Sequence, residues 1–419
     1  MKLKSIRNAK DLKSKRVLLR VNFDCPVKNG RVTDMTRIQA ALPTIRYLAA
    51  EKARLILISH LGRPLEHKNI KTQEHKSKGI RDKYTLKPVF ENLKSKILNP
   101  RLRGQVKFID DCLGKRVERE VEQMKPGEII LLENLRFYPG EEKNDSEFAR
   151  RLASLADIYV NDAFSVCHRQ HASVSAIAKY LSSYAGFDLE KEIGSLSGFL
   201  QKSKHPFIAI MGGAKISTKI GVIRNLAKVA DFILLGGALF NSFLKAKGIN
   251  IGKSIYEPGM IGEAKKLLKN KKLILPVDVR VKFSPPIGGR DLKIKDLKTI
   301  DNQQFEILDI GPGTVGLFSQ YLKDAKMVVW NGPMGYFEDK KFAWGTRSVF
   351  RSILSNKKAR VIIGGGETVA AIKKFKVSGL GSKVRNKNKV FISTGGGAML
   401  EFLEGKILPG IKSLIMGNE

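Results

Sequence analysis

Hydrophobic positions along the chain gather into short runs at near-regular intervals. RVLLRVNF (16–23), ARLILISH (53–60), EIILLEN (128–134) and IYVNDAF (158–164) open the series. PFIAIMG, DFILLGG, KLILPVDV, MVVWNG, RVIIGG and KVFISTG continue it through the second half. Their continuity and β-branched content predict strands buried on both faces. The segments between have another period: TRIQAALPTIRYLAAEK (36–52) spaces its apolar residues as a helix does. Buried strands alternating with helices imply parallel sheets covered on both sides. These ten runs exceed one comfortable sheet. The expected fold is therefore α/β, with two doubly wound, Rossmann-like parallel-sheet domains. The junction is expected near 181–200, where serines and a glycine precede a charged helical run. Segments 64–83 and 281–295 are polar and read as surface loops.

A chain of 419 residues is long enough for two full cores. No apolar run approaches the roughly 18 residues of a membrane span. The N-terminal MKLKSIRNAKDLKSKR lacks the apolar centre of a secretory signal. Cys25, Cys112 and Cys167 are too few and scattered for a disulfide framework or a zinc site, so a reducing cytoplasm fits best. The net charge of +36 points toward anionic partners. Yet the lysines are spread along the chain, and no zinc spacing, RNA-recognition aromatics or basic zipper accompanies them. The charge is read as solvated lysine-rich faces, with no membrane and no specific nucleic-acid partner.

Glycine loops carry the first chemical signal. IMGGAKIST (210–218), LLGGALF (234–240), IIGGGETVAA (362–371) and STGGGAMLEF (393–402) each follow an apolar run in the C-terminal half. Bare backbone where a strand hands over to a helix exposes N–H groups of positive character, which suits phosphate. Two formal motif matches compete. KGINIGKS (247–254) is one residue short of a Walker A loop and no helix pattern follows it. GPGTVG (311–316) satisfies the dinucleotide spacing, but the position that should carry an acidic residue for the ribose holds Asn331. The N-terminal half offers a different set after its strands: Asn22, Asp24, Arg37, His60, Arg63, Arg136, His168, Arg169 and His171. Arginine forks grip phosphate and carboxylate bidentately. Glycines suit a bulky nucleotide and arginines suit a compact phosphorylated acid. Two such half-sites imply transfer between their ligands, and phosphoryl transfer asks mainly for positioning and cations.

TRIQAALPTI, SHLGRP, LENLRF, YVNDAF, HRQHAS, GGAKISTKIGVI, VWNGPMGYFE, STGGGA and LEGKILPG closely resemble the pattern of the phosphoglycerate kinase family over about residues 16 to 413. The resemblance implies a glycolytic phosphotransferase with a carboxyl acceptor. It would move the acyl-phosphate of 1,3-bisphosphoglycerate to MgADP, reversibly, giving 3-phosphoglycerate and MgATP. It also implies an N-terminal domain over 1–184 and a nucleotide domain over 185–402. A tail, 403–419, returns to the first domain, and a hinge closes over in-line ligands in a monomer. The triose phosphate would meet Asn22, Asp24, Arg37, His60, Arg63, Arg136 and Arg169, with Arg37 nearest the moving group. Lys215 and Lys219 would face the nucleotide phosphates, and Lys219 would reach the moving phosphoryl. Gly237 and Gly335 would line the adenine pocket, and Glu338 would bond the ribose. Gly364, Gly365, Gly366, Glu367 and Thr368 would admit the phosphates, with Glu367 assisting Mg2+. Gly395, Gly396 and Gly397 would aim N–H groups at the transition state.

This chain departs from the family pattern in places. Asn22 and Asp24 exchange the family's carboxylate and amide, which puts the substrate-hydroxyl contacts in question. Glu367 replaces an aspartate, which implies retained activity with altered metal dependence. Ser165 replaces a glycine, and Cys167 beside His168 offers either an oxidisable thiol or an ordinary small residue. A retired relative that binds without turnover is the second reading. Intact Arg37 and Lys219 oppose it.

Overall fold

The structure is a computed structural model describing residues 1–65, 78–97, 106–201, 204–283, 289–298, 305–374 and 390–416. The chain divides into two compact units: Met1–Gly194 with Ile407–Glu419, and Ser195–Lys406.

The first unit is built on β1 (Arg16–Val21), β2 (Arg54–Ile58), β3 (Val106–Ile109), β4 (Ile129–Leu132), β5 (Ile158–Asp162) and β6 (Ser183–Ala185). They form one sheet in the order β3-β4-β2-β1-β5-β6. Every neighbouring pair is parallel. Val17, Leu19 and Val21 enter the core on one face, while Leu18 joins Ile56 and Ile58 on the other. That two-sided burial is why the strands read as unbroken apolar runs. Each large apolar side chain so buried contributes about 1.5–3 kcal/mol. Helix α1 (Thr36–Ala50) covers the first face through Ile38, Ile45 and Leu48. The strand order reverses between β1 and β5, so a crevice opens at the carboxyl ends there. The C-terminal segment is tied into this unit. Lys4 N donates to Leu414 O at 2.8 Å and Gly410 N to Cys167 O at 2.8 Å, and Leu408, Ile411 and Leu414 are buried.

Helix α2 (Phe187–Gln201) contains the division between the units. Its first turn belongs to the first unit. Phe187 N donates to Thr44 Oγ1, and Asp188 N and Leu189 N donate to Asp162 Oδ1. The division therefore falls after Gly194, inside the expected window 181–200 and a little beyond the 184/185 boundary implied by the resemblance, and the returning segment begins at Ile407, inside the implied tail 403–419.

The second unit holds β7 (Phe207–Met211), β8 (Phe232–Leu235), β9 (Leu273–Ile274), β10 (Asp278–Phe283), β11 (Gly289–Lys293), β12 (Phe305–Ile310), β13 (Met327–Asn331), β14 (Arg360–Gly364) and β15 (Val390–Ile392). Its main sheet runs β9-β8-β7-β13-β14-β15, all parallel. The order reverses between β7 and β13, which places the glycine loop after β7 and the NGPMG turn after β13 at the switch point. Its helices include α3 (Ile220–Val229), α4 (Leu239–Ala246), α5 (Gly366–Lys374) and α6 (Gly397–Leu403).

Segment 281–295 was expected as a loop. Instead β10 pairs antiparallel with β11 and β12, and 284–288 lie outside the described residues. The reason is the period: Val279 and Val281 are buried while Arg280 and Lys282 are not. A half-solvated antiparallel strand alternates in this way and does not look like the buried parallel runs. Of the other expected loop, Lys78–Tyr84 is helical and 66–77 lie outside the described residues. Among the described residues no helix is long and apolar enough to cross a membrane.

Candidate active site

In the first unit, Asn22 and Asp24 follow β1, His60 and Arg63 follow β2, and Arg136 follows β4. Arg169 lies beyond β5, and Arg37 stands in the first turn of α1. The structure joins several of them. Asp24 Oδ1 accepts from Gly62 N at 2.8 Å. Asp24 Oδ2 lies 3.3 Å from Arg37 Nη1 and 3.8 Å from His60 Nε2. Arg37 Nη1 also donates to Asp24 O. Arg136 Nη1 donates to Gly62 O at 2.7 Å, and Arg136 Nε lies 3.0 Å from Glu142 Oε1. Gly62 thus links the Asp24 and Arg136 sides of one cradle. Arg63 is exposed on the same loop. Asn22 is buried, and its Oδ1 has no hydrogen-bond partner.

Electrostatics keep this cradle cationic without extra protons. Burial lowers Arg136 to about 10, partly offset by Glu142. His60 is held well below its ordinary range by burial and then by Arg20. Burial, followed by nearby arginines, lowers His171 to about 3, and burial with Arg169 lowers His168 to about 4. All three rings are neutral near pH 7. The arginines carry the charge.

The sequence reading missed Arg20, the residue behind His60. It is fully buried in β1. It donates from Nε to Ser173 Oγ at 3.0 Å and from Nη1 to Val21 O at 2.6 Å. Its Nη2 lies 2.9 Å from His60 Nδ1. A guanidinium has no acceptor, so Nδ1 accepts and the neutral ring carries its proton on Nε2, toward Asp24. Ser173 is bound in turn by the fully buried Glu141, through N at 2.9 Å and Oγ at 2.7 Å. The available signal was a lone charge inside an apolar strand, which burial tolerates only with partners.

The second unit offers backbone rather than forks. The loops after β7, β8 and β13 stack main chain on main chain. Gly212 N donates to Asn331 O at 2.9 Å, Gly213 N to Pro333 O at 2.8 Å and Gly237 N to Met334 O at 3.0 Å. A Cβ on Gly237, at φ 65°, would sit 2.5 Å from Gly213 N, so only glycine fits. Beside these loops lies a cavity of about 520 Å³ walled by Gly213, Gly237, Ile255, Gly335, Tyr336 and Glu367 among others. Glu338 is exposed at its rim. Lys219 is buried and donates from Nζ to Gly212 O. A Cβ on Gly213 would lie 2.6 Å from Lys219 Nζ and 3.6 Å from Glu367 Oε2, so ammonium and carboxylate flank that glycine. Burial lowers Lys219 to about 8, and Glu367 opposes the shift. Lys215 is exposed on the same loop. Thr368 Oγ1 accepts from Gly332 N at 2.7 Å. The buried Nδ2 of Asn331 has no partner and would lie 3.0 Å from a Cβ on Gly365.

The glycines differ in what they do. Gly364 faces Met399, whose sulfur takes the space a Cβ would need, so that glycine serves packing. Gly365 has φ 90°, and nothing lies within 4 Å of a Cβ on Gly366 or Gly396. Gly395 N donates to Ser393 Oγ at 3.1 Å, and Gly396 precedes α6, which Gly397 opens. This half can hold a polyanion joined to a flat apolar group. Among the described residues no cluster of three or more His, Cys, Asp and Glu could hold a metal. A lone carboxylate such as Glu367 suits magnesium, which keeps its waters and binds through one or two carboxylates and substrate phosphates.

The structure weighs further against the GPGTVG match and favours the plain reading of Cys167. The GPGTVG turn is filled from within: Asp278 accepts from Gly313 N at 2.7 Å and Thr314 N at 2.7 Å, and its carboxylate occupies the space beneath Gly311. That helix start has no room for a pyrophosphate. Cys167 is fully buried, and burial raises its thiol to about 12, so it stays protonated and shielded rather than ready for oxidation.

With that geometry in view, the comparisons agree. A family profile described as phosphoglycerate kinase matches residues 6–406. A relative in Pseudothermotoga lettingae named phosphoglycerate kinase is 46% identical over 412 residues, covering 96% of each chain. An Arabidopsis thaliana relative named phosphoglycerate kinase 3, cytosolic, is 45% identical, again covering 96% of each. The solved structure of phosphoglycerate kinase from Coxiella burnetii superposes with a TM-score of 0.79 at 37% identity, covering 98% of each chain. The chain belongs to the phosphoglycerate kinase family.

Proposed function

We propose that the protein catalyses reversible phosphoryl transfer between 1,3-bisphosphoglycerate and MgADP, giving 3-phosphoglycerate and MgATP. The observation that carries this reading is the chemical contrast of the two crevices. One is lined by arginine forks, of which Arg37 and Arg136 are fixed by their own partners. The other has glycine backbone, a buried lysine and an apolar cavity.

In the first, Asp24, Arg37, His60, Arg63, Arg136 and Arg169 bind the triose phosphate, with Asn22 Oδ1 left to accept from a substrate hydroxyl. In the second, Gly237, Gly335 and Tyr336 enclose the base and Glu338 takes the ribose. Lys215, Lys219, Gly365, Gly366 and Thr368 receive the phosphates. Arg37 and Lys219 steady the moving group, whose charge spreads over its equatorial oxygens in the transition state. The N–H groups at Gly396 and Gly397 add fixed dipoles there, with Gly395, whose N–H is taken by Ser393 Oγ, shaping the turn. Glu367 would hold magnesium, which when bound neutralises charge on the nucleotide phosphates. Closure of the two units brings the ligands in line, and the protein works as a cytoplasmic monomer.

A coupled assay tests this. Purified protein meets 3-phosphoglycerate, MgATP and the next dehydrogenase with NADH, beside a Lys219→Ala control. Loss of NADH that vanishes in the control supports the reading. Nucleotide binding without turnover would favour a retired enzyme. Small-angle scattering that stays unchanged with both substrates present would contradict closure.

A further inference from the structure

We infer that Glu257 is a positioning residue that ties the base-side wall of the second unit's cavity to the lysine loop 212–219. The inference rests on the reading of that cavity as a nucleotide site. Glu257 is in the segment IGKSIYEP (251–258). That segment supplies Ile255, a cavity-wall residue whose side chain is exposed. Its near end is pinned to β12: Lys253 N donates to Phe305 O at 2.8 Å, and Ile307 N donates to Ser254 Oγ at 2.8 Å. Its middle is pinned to α4, where Asn241 Nδ2 donates to Ile255 O at 2.9 Å. At its far end Glu257 N donates to Ser242 Oγ on α4 at 3.3 Å, while the Glu257 side chain reaches across to the lysine loop. Glu257 Oε2 accepts from Ser217 N at 2.9 Å, and Oε1 accepts from Ser217 Oγ at 2.6 Å.

Ser217 stands between Lys215 and Lys219 and just before α3. The loop's own side-chain bonds turn inward, with Lys219 Nζ donating to Gly212 O. Thr218 Oγ1 donates back to Lys215 O at 3.1 Å, within the loop itself. A carboxylate gripping a backbone N–H and a hydroxyl of one residue fixes that loop far better than a neutral contact does. Glu257 therefore sets how far the lysines stand from the wall that meets the base. It lines neither surface itself.

Charge and position predict opposite signs, which makes the idea testable. Glu257 carries a negative charge that Lys215 feels. Removing that charge alone strengthens anion binding. Removing the grip alone weakens it. Full-length protein is titrated calorimetrically with MgADP, with inorganic tripolyphosphate and with adenosine. The first probe spans both surfaces, the second meets only the lysine loop, and the third meets only the wall. Glu257→Ala is expected to weaken MgADP on the order of tenfold and to weaken both fragments. Glu257→Gln keeps an oxygen for the Ser217 hydroxyl and loses the charge, so it binds tripolyphosphate at least as well as the unaltered protein does, whereas Glu257→Ala binds it worse. Adding Ser217→Ala to Glu257→Ala costs nothing further, because the two share one interaction. In turnover, the KM for MgATP rises while the KM for 3-phosphoglycerate stays fixed. If Glu257→Ala does not fold, the Gln and Ser217→Ala variants carry the same comparison. Unchanged MgADP affinity in Glu257→Ala, or loss toward only one fragment, overturns the coupling. Failure of the unaltered protein to bind MgADP instead overturns the nucleotide reading beneath it.

Discussion

The two crevices solve the problem of holding phosphate in opposite ways. In the first unit the positive charge is fixed in advance. Arg37 is matched by Asp24, Arg136 by Glu142, and Arg20 is buried behind His60. Each of these three forks has a partner that sets its direction before a ligand arrives. In the second unit the binding surface is mostly main chain, and its one deeply buried cation is Lys219 among the residues predicted for the site. Its amine is lowered to about 8 by burial, and Glu367 holds it up. A compact polyanion is best met by rigid forks. A long nucleotide needs room, which glycine gives, and brings charge that one lysine and a metal can match. The first crevice is thus insensitive to pH near neutrality, and the second is not.

The contrast can be broken most severely at Lys219. Lys219→Ala is expected to lower kcat by roughly 10²–10³, with 3-phosphoglycerate affinity unchanged by calorimetry. Equal loss of triose-phosphate binding would mean that the division of labour is wrong. Arg37→Ala comes next, with a loss of about tenfold to a hundredfold in kcat/KM for 3-phosphoglycerate and unchanged MgADP affinity.

Asn22 and Asp24 sharpen the picture within the first crevice. Asp24 sits among Gly62 N, Arg37 and His60, whereas Asn22 Oδ1 has no partner. Asn22→Asp alone puts a second carboxylate in an anion site and raises the 3-phosphoglycerate KM. The double exchange, Asn22→Asp with Asp24→Asn, returns it to within about three- to tenfold. A double variant worse than the single one would show that Asp24 cannot be spared.

The smallest effects belong to Glu367. The kcat/KM for MgATP follows the free enzyme's titration, so it falls as pH rises through about 8, where Lys219 loses its proton. Glu367→Gln removes the group that raises that amine, and the falling limb moves to lower pH. Glu367→Asp keeps the charge with one methylene fewer and changes the Mg2+/Mn2+ activity ratio. An identical metal profile would dismiss the length of this side chain as a factor.

Much of this was legible because both sheets are buried on two faces. Unbroken runs such as RVLLRV and PFIAIM can be little else, and the residues just after them lie at the crevice by topology. The arginines and glycines were therefore found by position as much as by type. What was hidden depends on distant partners. Arg20 is in a strand, and only the fold shows that it meets Ser173 and His60. The filling of the GPGTVG turn needs Asp278, which comes earlier in the chain. Gly364 looked like its two neighbours, yet it packs against Met399. Strand β11, GRDLK, carries too many charges to resemble a buried strand. The division after Gly194 lies in the window 181–200 read from the sequence, but its exact place was not legible because α2 runs straight through it.

The division of labour itself is tested most directly by hydrogen–deuterium exchange on the full-length protein with each ligand alone. The account predicts that 3-phosphoglycerate slows exchange in peptides holding Asp24, His60–Arg63, Arg136 and Arg169. MgADP should slow exchange around Gly212–Lys219, Gly237, Gly335–Glu338 and Gly366–Thr368. Protection by MgADP confined to the arginine crevice, or by 3-phosphoglycerate confined to the glycine loops, would contradict it.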